Sequence, residues 1–415
     1  MRTPIGVTLF IAVILLLDTY VFQAIRAVSR GVTPTARMII YIIYWTLTVM
    51  TIVSFLLFVY TGPDFLGRRV RTYLFATLIG LFLAKLVAVI FFLIDDVRRG
   101  IQWIAAKLFF NNTDIELSGS EGISRSVFLS WLGLAAGTTL FGSLLYGFGN
   151  KYNYRVKRIK LAFENLPTSF KGLRIVHISD IHSGSFSDKQ AVLKGVQKII
   201  DEKADLILFT GDLVNDRASE MIDYIDIFNR LKAPMGVYST LGNHDYGDYA
   251  RWPDRDAKIR NLQQLKEIHV ELGWRLLMNE HVVLEKNGEQ IAVLGIENWS
   301  AKARFPKHGR MDLAHPGTEQ IPFKILLSHD PSHWDAEVKT KYPDVDLVLS
   351  GHTHGMQFGI EIPGLKWSPV QYLYKQWDGL YEDGKQKLYV NPGFGFLGYP
   401  GRVGILPEIT VIELS

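Results

Sequence analysis

The chain has 415 residues, 48% of them hydrophobic, a formal net charge of +4 and no cysteine. The lack of cysteine excludes disulfides and thiolate metal sites. So mild a positive charge, clustered beside apolar segments, argues against a nucleic-acid enzyme.

Ahead of Gly149, four hydrophobic stretches run near 5–25, 38–60, 72–94 and 127–148. Each can cross a hydrocarbon core of about 30 Å as a helix, which takes roughly 20 residues. The first does not read as a cleaved signal peptide, because its apolar run is too long and Asp18-Thr19-Tyr20-Val21 offers no small-residue cleavage site. Residues 1–150 therefore read as an α-helical four-span domain of a multi-pass cell-membrane protein. Asp18 and Lys85 interrupt the first and third spans at similar depth, where an unpaired charge is costly. An ion pair between them would fix helix packing; the alternative is a snorkelling Lys85 with Asp18 protonated. Ile101 to Phe110 has the pattern of a helix lying in the bilayer interface, and 111–122 reads as a polar loop.

One side of the bilayer would carry Arg26, Arg30, Arg37, Arg98, Arg99, Lys107 and Arg125. The other would carry Arg2, Arg68, Arg69, Arg71 and the basic stretch from Lys151 to Lys160. The balance leans toward both the N-terminus and the part beyond the fourth span being cytoplasmic. Residues 151–172 read as a basic juxtamembrane linker and leading strand, suited to contact with anionic headgroups.

Residues 173–415 read as one soluble α/β domain. Strands at 173–178, 205–210 and 236–241 alternate with helices at 188–202, 220–231 and 260–272, the signature of βαβ units with parallel strands. Strands at 281–285, 290–295, 324–327, 346–350, 387–390 and 409–414 follow with fewer helices between them, which implies a second, more antiparallel sheet packed on the first.

Five short segments at the ends of these strands carry the chemistry: Asp180-Ile181-His182, Gly211-Asp212, Gly242-Asn243-His244-Asp245, Ser328-His329-Asp330 and Gly351-His352-Thr353-His354. Ligands at the carboxyl ends of several strands meet on one rim of a sheet. Asp180 and His182 can aim at one ion. Asp212 can bridge two ions with its two oxygens, and Asn243 offers an amide oxygen. His329, His352 and His354 supply imidazoles, the last two alternating about Thr353 and so free to reach different metals. Oxygen and nitrogen ligation without thiolate suits Mn²⁺, Fe, Zn²⁺ or Co²⁺ better than Ca²⁺. Two such cations can hold a bridging hydroxide in line for attack on phosphorus, with His244 placed to protonate the leaving oxygen or stabilise phosphoryl charge. Gly211, Gly242, Gly351 and Gly355 let the backbone turn closely around them. His177 reads as a core histidine, and His269, His281, His308, His315 and His333 lie outside any motif.

These blocks resemble the calcineurin-like metallophosphoesterase superfamily, over about 173–415. The resemblance implies two stacked mixed β-sheets flanked by helices. It also implies one metal on Asp180, His182, Asp212 and His354, and a second on Asp212, Asn243, His329 and His352, with His244 the catalytic histidine. Ser183-Gly184 and Tyr389-Val390-Asn391-Pro392-Gly393 resemble membrane-associated bacterial members. Those carry Gly-Gly-Gln where this chain has Gly355-Met356-Gln357, which sets a methionine beside the site. The expected activity is hydrolysis of a phosphomonoester, phosphodiester or pyrophosphate, the partners being the bilayer and a phosphorylated small molecule or lipid. The alternative is a non-catalytic or regulatory metal-binding module controlling the membrane domain. Between Ile360 and Tyr381 an aromatic-rich stretch is either an apolar lip that dips into the interface or a packed pair of strands with turns.

Overall fold

The computed structural model describes residues 3–61, 66–109, 125–302 and 305–415. It divides into two compact units, Met1–Tyr146 and Gly147–Ser415. Arg2, Phe110 and the 111–122 loop of the sequence reading lie outside the described residues.

The first unit is helical among the described residues: α1 (Pro4–Val28), α2 (Pro34–Thr61), α3 (Arg68–Phe109) and α4 (Arg125–Gly147). All four are long and apolar enough to cross a membrane. Proline opens α1 at its first turn, and Thr3 Oγ1 caps it by accepting the Gly6 N–H at 3.2 Å. The segment from Ile101 is not a separate interfacial helix, because α3 runs through it as one helix of 42 residues. Arg98 donates to Asp95 and, at 2.8 Å, to Gln102, bracing the helix across that junction, and the residues beyond are good helix formers.

Asp18 and Lys85 form an ion pair at 2.5 Å, with Asp18 buried. Thr48 of α2 donates to the other Asp18 oxygen at 2.5 Å, and Tyr44 donates to its backbone carbonyl at 2.8 Å. Three helices therefore share one polar knot. On α4, a Cβ at Gly137 would lie 2.6 Å from the Ala84 carbonyl of α3, and one at Gly133 would lie 2.9 Å from that of Ala88. Small residues four apart on both helices let the two backbones touch.

The second unit begins with β1 (Arg155–Leu161) and β2 (Arg174–Ile178), then α5 (Lys189–Asp201), β3 (Leu206–Phe209), α6 (Ile225–Phe228), β4 (Val237–Ser239), α7 (Arg255–Glu271) and β5 (Arg275–Leu276). The long helix expected over 220–231 is instead a series of short turns leading into α6, broken where Tyr224 leaves helical geometry at φ −125°, ψ −1°. Burial of Met221, Tyr224, Ile227 and Phe228 supplies the apolar spacing that mimics a helix. The chain continues through β6 (Glu280–Lys286), β7 (Glu289–Gly295), β8 (Lys324–Leu327), β9 (Leu347–Ser350), the hairpin β10 (Ile360–Ile362) and β11 (Leu365–Trp367), then β12 (Gly379–Asp383), β13 (Gln386–Val390) and β14 (Glu408–Leu414).

Among the described residues the strands form two mixed sheets, ordered β1-β14-β2-β3-β4-β5 and β12-β13-β9-β8-β7-β6. Within these two sheets antiparallel pairing joins β14 to β2 in the first and the two edge pairs of the second, while β10 and β11 form a separate antiparallel pair. The sheets stack through Ile175, Leu206 and Leu208 on one side and Val293, Ile325, Leu347 and Leu349 on the other. Alternate residues of the same strands face outward: Val176, Ile207 and Phe209 pack with α5, α6 and α7, while Leu294, Leu326 and Val348 pack under Trp334 and Val338. This is a helix-flanked double sheet. The basic stretch does not stand free: Arg155 pairs with Glu361, Arg158 with Glu202 and Lys160 with Glu413 along β1.

Candidate metal centre

Parallel strands β2, β3 and β4 of one sheet and β8 and β9 of the other end on the same rim. Asp180 and His182 follow β2, Asp212 follows β3, Asn243 and His244 follow β4, His329 follows β8, and His352 and His354 follow β9. Two groups of candidate ligand atoms result, Asp180, His182 and His354 in one and Asp212, His329 and His352 in the other, each with its atoms within 4.8 Å of one another.

In the first group His182 Nε2 lies 3.0 Å from His354 Nε2, and His354 Nε2 lies 3.2 Å from Asp180 Oδ1. In the second, His329 Nε2 lies 3.2 Å from Asp212 Oδ2, and His352 Nδ1 lies 3.3 Å from His329 Nε2 and 2.8 Å from the amide oxygen of Asn243. Asp212 Oδ2 is also 3.5 Å from His182 Nε2, so a single oxygen faces both groups. Asp212 Oδ1 accepts the His244 N–H at 2.8 Å.

Backbone shape sets these positions. Asp180, His182, Asp212, His352 and His354 all adopt left-handed φ, between 48° and 71°. Such conformations cost of order 1–3 kcal/mol each for non-glycine residues and persist where surrounding structure enforces them. Part of that enforcement is Asp245. Its buried carboxylate accepts the N–H groups of Asp212 and Gly242 on one oxygen and of Leu213 on the other, at 2.8–2.9 Å. Gly211, at φ 94°, packs directly on the Gly242 backbone, so no side chain fits there.

Second contacts orient the rings. His329 Nδ1–H donates to the Thr210 carbonyl at 2.7 Å, leaving Nε2 for the centre. His352 is turned the other way, its Nε2 2.9 Å from the Tyr374 hydroxyl, which in turn donates to the buried Asp330 at 3.3 Å. Its Nδ1 therefore faces inward. His244 Nδ1–H donates to the Asn215 carbonyl at 2.7 Å, so Nε2 is its free nitrogen, and its ring centroid sits 5.0 Å from that of His182.

Asp245, Asp330 and Tyr374 have roles here that their sequence pattern does not announce. The first two stand inside quoted segments and gave that much signal. Tyr374 gave none beyond its place in an aromatic-rich stretch. His177, His269 and His333 are buried away from the centre, where burial pushes each imidazole down to about 3. Met356, two residues past His354, is exposed.

The donor set fits divalent cations. Burial opposes a charge on His329, yet Asp212 beside it holds its pKa up at about 10, showing that these buried carboxylates call for positive charge in their midst. Burial likewise opposes ionisation of Asp180, but His354 and its hydrogen bond hold that carboxyl low. Hard oxygens and imidazole nitrogens, with no sulfur, match a first-row divalent metal.

A family model described as "Probable Calcineurin-like phosphoesterase, transmembrane domain" matches residues 1–150, and one described as "Calcineurin-like phosphoesterase" matches residues 173–356. A Danio rerio "Transmembrane protein with metallophosphoesterase domain" is 31% identical over 271 residues, covering 63% of this chain and 57% of its own. The chain thus spans little more than half of that relative. The Bacillus subtilis metallophosphoesterase YkuE, described as uncharacterized, is 30% identical over 261 residues, covering 60% of this chain and 82% of its own. Escherichia coli "Phosphodiesterase YaeI" is 26% identical over 243 residues, covering 58% and 82%.

Proposed function

The chain belongs to the calcineurin-like phosphoesterase family, and on that premise we propose that it hydrolyses a phosphoester at a two-metal centre held beside a membrane. It is a multi-pass membrane protein and a metal-dependent phosphoesterase. The reading beyond that assigns Asp180, His182 and His354 to one cation, Asn243, His329 and His352 to another, and Asp212 to both. Mn²⁺, Fe or Zn²⁺ suits these donors. When bound, such cations draw charge from phosphoryl oxygens and lower the pKa of a water.

The chain's own groups do the rest. Asp212 keeps its two oxygens apart in role, one toward the metals and one fixed by the His244 N–H. His244, its Nδ1–H held by Asn215, presents Nε2 to a bound phosphate; protonated at Nε2 as well, it would give that proton to the leaving oxygen and return to the neutral ring. The name of the Escherichia coli relative favours a phosphodiester over a monoester or pyrophosphate. The distribution of lysine and arginine favours a cytoplasmic catalytic domain.

The observation that carries this reading is the reach of Asp212 Oδ2 to both histidine groups, at 3.5 and 3.2 Å. The test is the full chain in detergent, stripped with chelator and titrated with Mn²⁺ while p-nitrophenyl phosphate and its bis ester are assayed. The expected outcome is two Mn²⁺ per chain and turnover of the bis ester that falls at least about a hundredfold in Asp212→Asn and His244→Ala. Turnover that survives both chelation and Asp212→Asn would overturn it.

A further inference from the structure

The β10–β11 hairpin is folded with its polarity reversed. Its register pairs Ile360 with Trp367, Glu361 with Lys366 and Ile362 with Leu365. Paired residues share a face and successive ones alternate, so Ile360, Ile362, Leu365 and Trp367 form one face and Glu361 and Lys366 the other. The charged face ties back to the domain, with Glu361 half-buried and the ammonium of an otherwise exposed Lys366 reaching a buried carboxylate. Glu361 accepts from Arg155 at 2.8 Å, and Lys366 reaches the Asp378 carboxylate at 2.8 Å and its carbonyl at 2.7 Å. The apolar face turns outward, with Ile362 57% exposed and Ile360 and Leu365 nearly as open.

The patch extends beyond the hairpin. Met356 and Leu373 are exposed, Tyr372 is 75% exposed, and Tyr372 accepts from the Trp367 indole at 3.4 Å. Lys375 stands exposed beside them. Tyr374 and Trp377, in the same stretch of sequence, are buried with Val370 and Ile405 and hold the patch to the domain. An outward apolar face rimmed by aromatic and basic residues is the composition of a surface that lies in the headgroup region of a bilayer.

Chain connectivity names the occupant. Arg155, the anchor of Glu361, follows Gly147 at the end of α4 by eight residues, which span at most about 30 Å. A bilayer holding the apolar helices would then lie within that reach of β1, to which the hairpin is anchored. We infer that the outward face of the β10–β11 hairpin, with Met356, Tyr372 and Leu373, inserts into the lipid interface. The hairpin is tied to the ligand loop, since Ser368 donates to the Gly355 carbonyl at 2.9 Å, one residue past His354. Resting on the function proposed above, the consequence is that the centre takes its phosphoester from a lipid at the membrane surface.

The absence of cysteine makes the test direct. Ile362→Cys, labelled with a polarity-sensitive fluorophore in the full chain, is reconstituted in phosphatidylcholine–phosphatidylglycerol vesicles, with Lys385→Cys as the control on an exposed turn. Emission at position 362 should be several-fold brighter than at 385 and quenched by bromine on the lipid acyl chains. Emission equal to the control would overturn the inference. So would bright emission untouched by brominated lipid, because a second copy of the chain would then be the cover. Neither readout depends on activity. In a second arm, Ile360→Ser, Ile362→Ser and Leu365→Ser together should leave bis(p-nitrophenyl) phosphate turnover unchanged. The same triple variant should lower hydrolysis of a vesicle-borne phosphodiester about tenfold; equal loss on both substrates, or on neither, would refute the lipid consequence. A wild type inactive on either substrate would count against the proposed function while the fluorescence still reads the hairpin.

Discussion

His352 is held from behind by a tyrosine and a buried aspartate, and that arrangement fixes which of its nitrogens faces His329 and Asn243. Tyr374→Phe removes the hydroxyl without opening a cavity. It is expected to weaken binding of one Mn²⁺ by about 10–100-fold while the other stays, seen as two unequal steps in titration calorimetry. Two equal sites in the variant would deny Tyr374 this positioning role. The order and type of the candidate ligands were readable because each follows a short apolar strand. Their left-handed backbone was not, since Asp and His carry no mark of φ. Nor was the clamp made by Asp245, which depends on N–H groups brought from two separate loops. The buried histidines away from the centre make a separate prediction. Unfolded, each binds a proton near 6.5; folded, burial holds His177, His269 and His333 at about 3. The unfolded state therefore takes up protons first as pH falls, and stability that is full above 6.5 is lost from there down toward 3. Each contributes a loss of about 2 kcal/mol between pH 7 and 5. Thermal unfolding of chelated protein should show His269→Gln losing less over that interval than the wild type, and identical losses would refute the assignment.

Among the elements, the polar knot of α1, α2 and α3 is the most exacting. Lys85→Met strands the Asp18 carboxylate in an apolar bundle, where breaking a buried pair costs roughly 3–5 kcal/mol. The detergent-solubilised variant should melt well below wild type, and adding Asp18→Asn should recover part of that loss. Single and double variants with equal midpoints would show that the pair does not support the fold. The helices of this unit were legible from apolar length alone, whereas the close α3–α4 contact through Gly133, Gly137, Ala84 and Ala88 required knowing which faces meet. In the second unit, strands buried on both faces stood out as apolar runs. The β10–β11 hairpin was legible only as one of two alternatives, an apolar lip or a pair of strands with turns, because its residues alternate with the apolar side turned to the outside. The stretch 220–231 read falsely as one helix because burial of four apolar side chains in successive turns imitates helical spacing.

For the whole molecule, the arrangement of charged residues gives a topological prediction. Lys385→Cys in the β12–β13 turn should react with a membrane-impermeant maleimide in inverted vesicles and stay unlabelled in intact spheroplasts; the reverse pattern would put the catalytic domain outside. The two-sheet architecture was foreseeable from alternating strands and helices, but its strand order was not, since nothing local marks β14 as the neighbour of both β1 and β2. That pairing shapes the protein's synthesis. Arg155 meets Glu408 in a parallel register, and β14 is the partner of β1 in its sheet. At about 5–20 residues per second, β1 waits on the order of 10–50 s for its mate to leave the ribosome. During that interval it is a bare strand edge beside a membrane under assembly. Arg155, Lys157, Arg158 and Lys160, nearly every second residue, are the charges that keep such an edge from pairing with another nascent chain. They serve the unfinished protein before they ever meet their carboxylates in the finished one.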